Sequence, residues 1–432
     1  MYVVSALAAL ALAVPLGAKP PPPMINISPA PIPVAAPAPP PVSTKTVPRI
    51  FLSTDGETVY IVGAIMDDAF LRFDALLQKA PQVKRVYLAS PGGLTIEGRL
   101  IAALVRKRHL DTYVEHYCAS ACTQVFVSGR ERVLGPEAEL GFHQAIAVDD
   151  KGETKALTKA GTQRLTPLSV FGINGNDTLR LAYEQAGIDE PFIAKALAKG
   201  HDDLWLPGTA ELIASHVITR RAAAPELTAP DGSHSREEIA AQADQRSFWR
   251  AARQALPAAY AAGLNDAWRR ANTGSSVDDA IASGRGAVVV AAWPLLASSS
   301  DSMLDRMLAL YAGSARVQRA QGYPMCKEEI TDEAPHAMNP LDASFESRED
   351  ALLVELFGKP PGKSLSRKEA EKVFDRDVVP PMLSSYFGTD LKSSTSSCRL
   401  GFKIFEAIDD LPTKKRINAY RALLSLPDGG NP

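Results

Sequence analysis

The sequence is poor in cysteine, in net charge and in long apolar runs. Four cysteines among 432 residues are too few for a disulfide-dense scaffold. Lysine and arginine (47) nearly balance aspartate and glutamate (49), which argues against nucleic acid or an anionic membrane as the main partner. No run of about 20 apolar residues follows the N-terminus, which excludes a polytopic membrane protein. The length instead fits two or three domains with sizeable cores.

The N-terminus differs in composition from the rest. Val3 to Leu16 is apolar and uncharged, a length that suits the core of a secretory signal and is short for a bilayer span of about 20 residues. We therefore expect residues 1–18 to be a signal peptide or an N-terminal membrane anchor. The protein would then be periplasmic or otherwise extracytoplasmic; a disordered alanine-rich terminus is the alternative.

Residues 19–48 are rich in proline: 12 of the 33 prolines lie between Pro20 and Pro48. Proline fixes φ and has no backbone N–H, so this composition predicts a disordered, extended linker rather than a packed domain. A ligand for a proline-recognition domain is the alternative.

From Arg49 the sequence predicts strands alternating with helices, the pattern of an α/β domain with a largely parallel, covered sheet over residues 49–221. Residues 222–234 are rich in proline, glycine and alanine and predict a linker. Residues 235–432 predict a mainly helical region without any motif of chemistry. Its helices are expected at 236–255, 258–271, 300–319, 343–357, 366–377 and 400–424.

Two of the cysteines, Cys326 and Cys398, fall in this helical region. In an exported protein they are a candidate disulfide that would stabilise a modest helical domain. Two unpaired buried cysteines are the alternative.

Three short segments stand where strands are predicted to end: 90–93 (SPGG), 118–122 (CASAC) and 140–144 (LGFHQ). Ligands and catalytic groups gather at that edge of an open α/β sheet. Ser120 is flanked by alanines and opens a helix, where unpaired amides favour a developing oxyanion. A simple N-cap serine is the alternative.

The other two segments supply complementary chemistry. The N–H groups of Gly93 and Ala121 could form a two-donor pocket for a carbonyl oxyanion. His143 ends an apolar strand, and a neutral imidazole there could act as the general base for a serine hydroxyl. A satisfied core histidine is the alternative for His143.

The run from Val86 to Gln144 resembles the Clp-type serine proteases. It has Ser-Pro-Gly-Gly at 90–93, a small-residue elbow around Ser120 and Gly-Phe-His-Gln at 141–144. The Cys-x-Ser-Ala-Cys elbow resembles more closely still the exported bacterial Clp-like proteins of ill-defined function. The likeness covers 49–219, about 40% of the chain.

This resemblance implies the Clp protease/crotonase fold, a superhelix of ββα units. It also implies Ser120 as nucleophile, His143 as general base, and the amides of Gly93 and Ala121 as oxyanion hole. For the third triad member it points to Asp202, with Asp203 as the alternative acid. Either aspartate could instead cap the following turn.

Two features depart from the family pattern. Cys118 and Cys122 bracket Ser120 at a spacing that could suit a disulfide in an oxidising compartment. No metal site is expected, because two further ligands for zinc at fitting spacing are missing. Cytosolic Clp proteases take substrates from an ATP-powered unfoldase, and ATP is unavailable outside the inner membrane. An exported form would therefore act without such a partner, and the chain itself has no P-loop.

The leading hypothesis is therefore an exported or membrane-tethered serine peptidase that needs no cofactor and acts on peptide or protein substrates. By analogy with the family, it would self-associate. The alternatives are a non-catalytic binding or scaffold protein on the same fold and a crotonase-type acyl-CoA enzyme.

Overall fold

The structure is a computed structural model. It describes residues 49–148, 154–156, 175–200, 204–230, 232–323, 344–362, 364–379 and 394–426. Residues 1–18, residues 19–48, Asp202, Asp203 and Cys326 therefore lie outside the described part, as does the side chain of Cys398. The predictions made for them stay predictions.

The first half of the described chain is a mixed α/β unit. Its strands are β1 (Arg49–Leu52), β2 (Thr58–Val62), β3 (Arg85–Ser90), β4 (Asp111–Ala119), β5 (Arg132–Leu134), β6 (Glu139–Gly141), β7 (Ile146–Val148), β8 (Thr154–Ala156) and β9 (Arg220–Arg221). The main sheet has the order β1-β2-β3-β4-β5-β9, with β6 also paired to β4. All its pairs are parallel except β1 with β2. The strands β7 and β8 form a separate antiparallel pair.

Six helices of this unit are described: α1 (Ala69–Lys79), α2 (Thr95–Lys107), α3 (Ala121–Val127), α4 (Gly175–Gln185), α5 (Glu190–Ala198) and α6 (Thr209–Ala214). Helices α4 and α5 are separated at Gly187, whose φ of +73° lies in the left-handed region that glycine adopts readily.

The second half is helical wherever it is described. Its helices are α7 (Arg236–Ala243), α8 (Ser247–Ala255), α9 (Pro257–Ala271), α10 (Val277–Ala291), α11 (Trp293–Ala297), α12 (Asp301–Ala320), α13 (Phe345–Phe357), α14 (Arg367–Asp377), α15 (Ser394–Asp409) and α16 (Thr413–Ser425). The single helix expected at 400–424 is two helices, because Pro412 stands between α15 and α16.

The two faces of the sheet carry different side chains. Alternate residues of β2 and β3, such as Val59 and Leu88, join a mixed aliphatic and aromatic core beneath α1 to α5. The opposite face carries a ladder of rings from Phe51 through Tyr60 and Tyr87 to Tyr113, with successive centroids 5.0, 5.0 and 5.8 Å apart.

The segment predicted as a linker at 222–234 lies across this aromatic face. The Tyr60 hydroxyl donates to the Thr228 carbonyl (2.8 Å), and the Glu226 N–H donates to the Tyr113 hydroxyl (3.2 Å). Ala222 is buried and packs with the ladder. The segment therefore covers the sheet and brings the helical half against it.

Helix α10 was not expected from the sequence. Its glycines lower helix propensity, yet Gly284 lies where the backbones of α9 and α10 nearly touch. A Cβ at Gly284 would lie 2.2 Å from the Gly263 carbonyl oxygen, and one at Gly263 would lie 2.5 Å from the Gly284 oxygen. This tertiary contact, which sequence spacing does not reveal, explains why glycine is used inside the helix.

We expect Gly284→Ala to lower the free energy of unfolding by about 1–3 kcal/mol, because the added methyl group overlaps a carbonyl that cannot easily move. The control is Gly313→Ala in α12, where nothing lies within 4 Å of an added Cβ. It should raise the free energy of unfolding by about 0.5–1 kcal/mol. Urea titration measures both, and equal midpoints for the two variants would contradict this account.

Strand β4 bulges between Val114 and Cys118. These residues pair with Leu88 and Ser90 of β3, so four positions on β4 span two on its neighbour. Within the bulge, burial and then the negative charges of Glu226 and Glu137 raise the pKa of Glu115 to about 7. Burial and then the positive charges of Arg236 and His234 lower the pKa of His116 to about 4.

Glu115 and His116 have opposite effects on how the free energy of unfolding depends on pH. Because the pKa of Glu115 is raised from 4.5, the folded state holds its proton longer, and stability falls as pH rises from about 4.5 to 7. Because the pKa of His116 is lowered from 6.5, the unfolded state takes up a proton first, and stability rises between about pH 4 and 6.5.

We expect Glu115→Gln to gain stability relative to wild type as pH rises from 5 to 8, by a difference on the order of 3 kcal/mol, because the neutral amide never ionises. Urea unfolding at several pH values measures the difference. Parallel curves for the two proteins would show that Glu115 does not titrate as argued.

Candidate active site

The register of the sheet brings the three sequence segments to one edge. Ser90 pairs with Cys118 across β3 and β4, and Ala119 pairs with Gly141 across β4 and β6. The strands are parallel, so the turn after Ser90, the elbow at Ser120 and the chain after Gly141 all follow carboxyl ends.

Ser120 has an unusual backbone. Its φ of 53° and ψ of −127° lie in a region that L-amino acids rarely adopt, which costs on the order of 1–3 kcal/mol. Its N–H donates to the Gly141 carbonyl (3.0 Å). Its carbonyl accepts from both the N–H (2.9 Å) and the hydroxyl (2.6 Å) of Thr123. These bonds hold a half-buried serine in a strained turn between β4 and α3.

Gly92 lies directly against this elbow. A Cβ at Gly92 would be 2.6 Å from the Ser120 Cβ, 2.7 Å from the Ala119 oxygen and 3.0 Å from the Ala121 nitrogen. Its φ is +107°, and its N–H donates to the buried Ser90 hydroxyl (3.1 Å). Only glycine allows this approach of two backbones.

The two expected oxyanion donors flank this contact. On one side, Ile65 donates to the Gly92 carbonyl (2.6 Å), and Leu94 donates to the Ile65 carbonyl (2.8 Å). Within the described residues, the N–H groups of Gly93 and Ala121 donate no hydrogen bond. Gly93 is exposed, whereas Ala121 is fully buried. The Ala121 N–H is therefore a buried donor without an acceptor among the described residues.

A disulfide joins Cys118 and Cys122 around the elbow, with their Cα atoms 5.5 Å apart. Both cysteines are fully buried. The bond ties the end of β4 to the first turn of α3, on either side of Ser120, so it restricts how far the elbow can relax.

Replacing both cysteines with alanine should lower the free energy of unfolding by about 2 kcal/mol, the loop-closure contribution of so short a ring. The measurement is urea unfolding of the double variant against wild type without reductant. Unchanged midpoints would mean that the disulfide adds nothing to the elbow's stability.

The main chain around His143 is fixed at three points. Phe142 and Trp205 exchange backbone hydrogen bonds of 2.9 Å in both directions. The Gln144 N–H donates to the Lys199 carbonyl (2.9 Å). The Ala145 N–H donates to the Asn176 side chain (2.7 Å). His143, half-buried, therefore sits on a well-anchored stretch.

The imidazole Nδ1 of His143 lies 2.8 Å from the Gln144 carbonyl oxygen. A carbonyl only accepts, so Nδ1 carries the hydrogen, and a neutral ring with that tautomer has its lone pair on Nε2. That is the tautomer a general base acting through Nε2 requires.

The Ser120 hydroxyl makes no hydrogen bond within the described residues, so none joins it to His143. The elbow and the histidine segment share one edge of the sheet without a direct bond between the two side chains. Such bonds often form only when substrate is present.

Three side chains that support the site were missed by sequence reasoning. Asn176 holds Ala145, Thr123 caps the Ser120 carbonyl, and the Tyr183 hydroxyl lies 2.7 Å from that of Thr123. None stands in a motif, and both Asn176 and Tyr183 reach the site from α4 only through tertiary packing.

Among the described residues, no cluster of three histidine, cysteine, aspartate or glutamate side chains is arranged to hold a metal ion. In the same residues, no helix combines the length and the apolar character needed to cross a bilayer.

The sequence matches no protein-family model and no curated protein. Similar solved structures include a mutant of a membrane-bound stomatin-specific protease, at 15% identity and a TM-score of 0.29, covering 38% of this chain and 77% of the other. Another is the ClpP protease catalytic domain from Plasmodium falciparum, also at 15% identity and a TM-score of 0.29, covering 41% and 90%. At these scores neither likeness carries an argument about function.

Proposed function

We propose that this protein is a Clp-like serine peptidase whose α/β unit has the Clp protease/crotonase architecture. The observation that carries the proposal is the backbone of Ser120. It is strained, half-buried and pressed against Gly92 at the carboxyl edge of a parallel sheet. Strain of this kind persists where the surrounding structure enforces it, and it clusters at active sites.

In this proposal the Ser120 Oγ attacks the carbonyl carbon of a peptide bond while Nε2 of His143 accepts the hydroxyl proton. The tetrahedral oxygen is held by the N–H groups of Gly93 and Ala121. The imidazolium then gives its proton to the departing amine, leaving an ester on Ser120. Water, deprotonated by the same imidazole, hydrolyses the ester and restores the hydroxyl.

An orienting acid completes the mechanism, and we assign it to Asp202, with Asp203 as the alternative. The described flanks of that segment support the assignment. Lys199 bonds the main chain of Gln144, and Trp205 bonds that of Phe142, on either side of His143. The carboxylate would stabilise the imidazolium formed during the reaction.

The proposal includes export, with the N-terminal segment as signal or anchor and residues 19–48 as a tether. The Cys118–Cys122 disulfide supports an oxidising compartment, because cytosolic thiols are kept reduced. Since ATP is unavailable to drive an unfoldase outside the inner membrane, flexible peptides are the substrates we propose for the exported protein. Self-association is proposed by analogy only.

A non-catalytic binding or scaffold protein is the second candidate. The observation that favours it is the absence, within the described residues, of a hydrogen bond from the Ser120 hydroxyl to His143. The two candidates differ in one measurable property, the nucleophilicity of Ser120. A crotonase-type enzyme is not favoured, because it has no use for the elbow serine.

A fluorophosphonate probe should label the wild-type protein at Ser120, and Ser120→Ala should abolish that labelling because the attacking oxygen is gone. His143→Ala should slow labelling by about 10²–10⁴-fold, the usual contribution of a general base. Peptide mapping by mass spectrometry locates the adduct, and the labelling rate is measured against probe concentration.

The matched controls are Ser215→Ala, a half-buried serine after α6, and His109→Asn, an exposed histidine after α2. Both should label at the wild-type rate. If folded wild-type protein is not labelled at Ser120, the peptidase hypothesis is wrong and the binding-protein hypothesis remains.

A further inference from the structure

The helical half contacts the two strands whose ends carry Ser120 and His143. From α9, the Trp268 ring meets His116 of β4 edge-on, with centroids 5.7 Å apart. The neighbouring guanidinium of Arg269 lies 5.7 Å from the ring centroid of Tyr117. The bulge in β4 thus presents two rings to one helix, three and four residues before Ser120.

On β6 the contact is ionic and involves both oxygens of one carboxylate. Arg236 Nη2 lies 2.8 Å from one oxygen of Glu139, and Arg269 Nε lies 2.7 Å from the other. The three side chains are 21–29% exposed, so the pairs are partly shielded from water. Charge-assisted bonds of this geometry are stronger than exposed ion pairs.

Arg236 is itself held in place. Its guanidinium stacks 3.7 Å from the ring centroid of Trp268, and its Nε donates to the Asn265 side chain (3.1 Å). It is the first residue of α7, which starts with a capping box formed by Ser235 and Glu238. The side chains that bind Glu139 are therefore held in place by helices α7 and α9 of the helical half.

The clamped strand is short and leads directly to the histidine. Strand β6 has three residues, and Glu139 pairs with Tyr117 while Gly141 pairs with Ala119. His143 follows two residues after the strand ends. A three-residue strand has few ladder bonds of its own, so an anchor at its first residue contributes a large share of its order.

We propose that Arg236 and Arg269 are positioning residues, which fix β6 through Glu139 and thereby hold the His143 segment in place. The catalytic consequence rests on the proposed function, whereas the ordering of β6 does not. On this account the helical half is a structural part of the site and not an independent appended domain.

The test is hydrogen–deuterium exchange, read by mass spectrometry on the full chain. Three amides after β6, those of Phe142, Gln144 and Ala145, donate hydrogen bonds and report on its order. In Arg236→Gln/Arg269→Gln, exchange across 139–145 should speed up at least about tenfold, because two charge-assisted bonds are lost. Exchange across β2 should not change.

Two control variants test whether the change in exchange is specific to the arginines that bind Glu139. Arg253→Gln removes an arginine that pairs with Asp244 inside the helical half (2.8 Å) and should exchange like wild type at 139–145. Arg236→Lys/Arg269→Lys keeps both charges and should recover part of the protection. Unchanged exchange at 139–145, or an equal rise in β2, would overturn the positioning role.

The rate of fluorophosphonate labelling at Ser120 is measured on the same proteins. It should fall about tenfold in the glutamine double variant, in step with the exchange, and stay at the wild-type rate in Arg253→Gln. If the wild-type protein is not labelled, the peptidase hypothesis is wrong. The exchange experiment then still decides whether the arginines order β6. Full labelling despite faster exchange would overturn the link to the site.

Discussion

The contact between the Gly92 backbone and the Ser120 elbow is the constraint on which the site depends. Parallel pairing of β3 with β4 places the turn after Ser90 directly beside the start of α3, and no side chain fits between them. Glycine at 92 and the positive φ of Ser120 both allow the two backbones to approach this closely. The strain of Ser120 is offset by its bonds to Gly141 and Thr123 and by the disulfide around it.

The two faces of the sheet are covered by different parts of the chain. One face is covered by α1 to α5 through a large hydrophobic core. The other carries the aromatic ladder and the nearly buried Glu115, and residues 222–230 cover it. Because β4 bulges at its end, it breaks from this pattern and offers His116 and Tyr117 to the helical half. The sheet edge with the candidate site is thus joined to both halves of the described chain.

The features that sequence could reveal are local ones. The paired glycines at 92 and 93 signal their backbone geometry directly, the small residues around Ser120 mark the start of a helix, and alternation predicts the sheet. What escaped prediction depends on distant contacts. Helix α10 contains Gly284 because Gly263 lies opposite it. Glu139 matters because two arginines that follow it by 97 and 130 residues bind its carboxylate. Neither partner can be read from the residue itself.

Two energetically unfavourable features lie at one edge of the sheet, and together they favour a functional explanation. The buried N–H of Ala121 has no acceptor within the described residues, and a donor left unpaired in the interior costs about 1–3 kcal/mol. Beside it stands a residue in a rarely adopted conformation. A purely structural turn could avoid both costs with glycine at 120 and an acceptor nearby. In the proposed peptidase both features have a use, because a carbonyl oxygen admitted beside the Ser120 hydroxyl would supply the acceptor that the Ala121 N–H lacks.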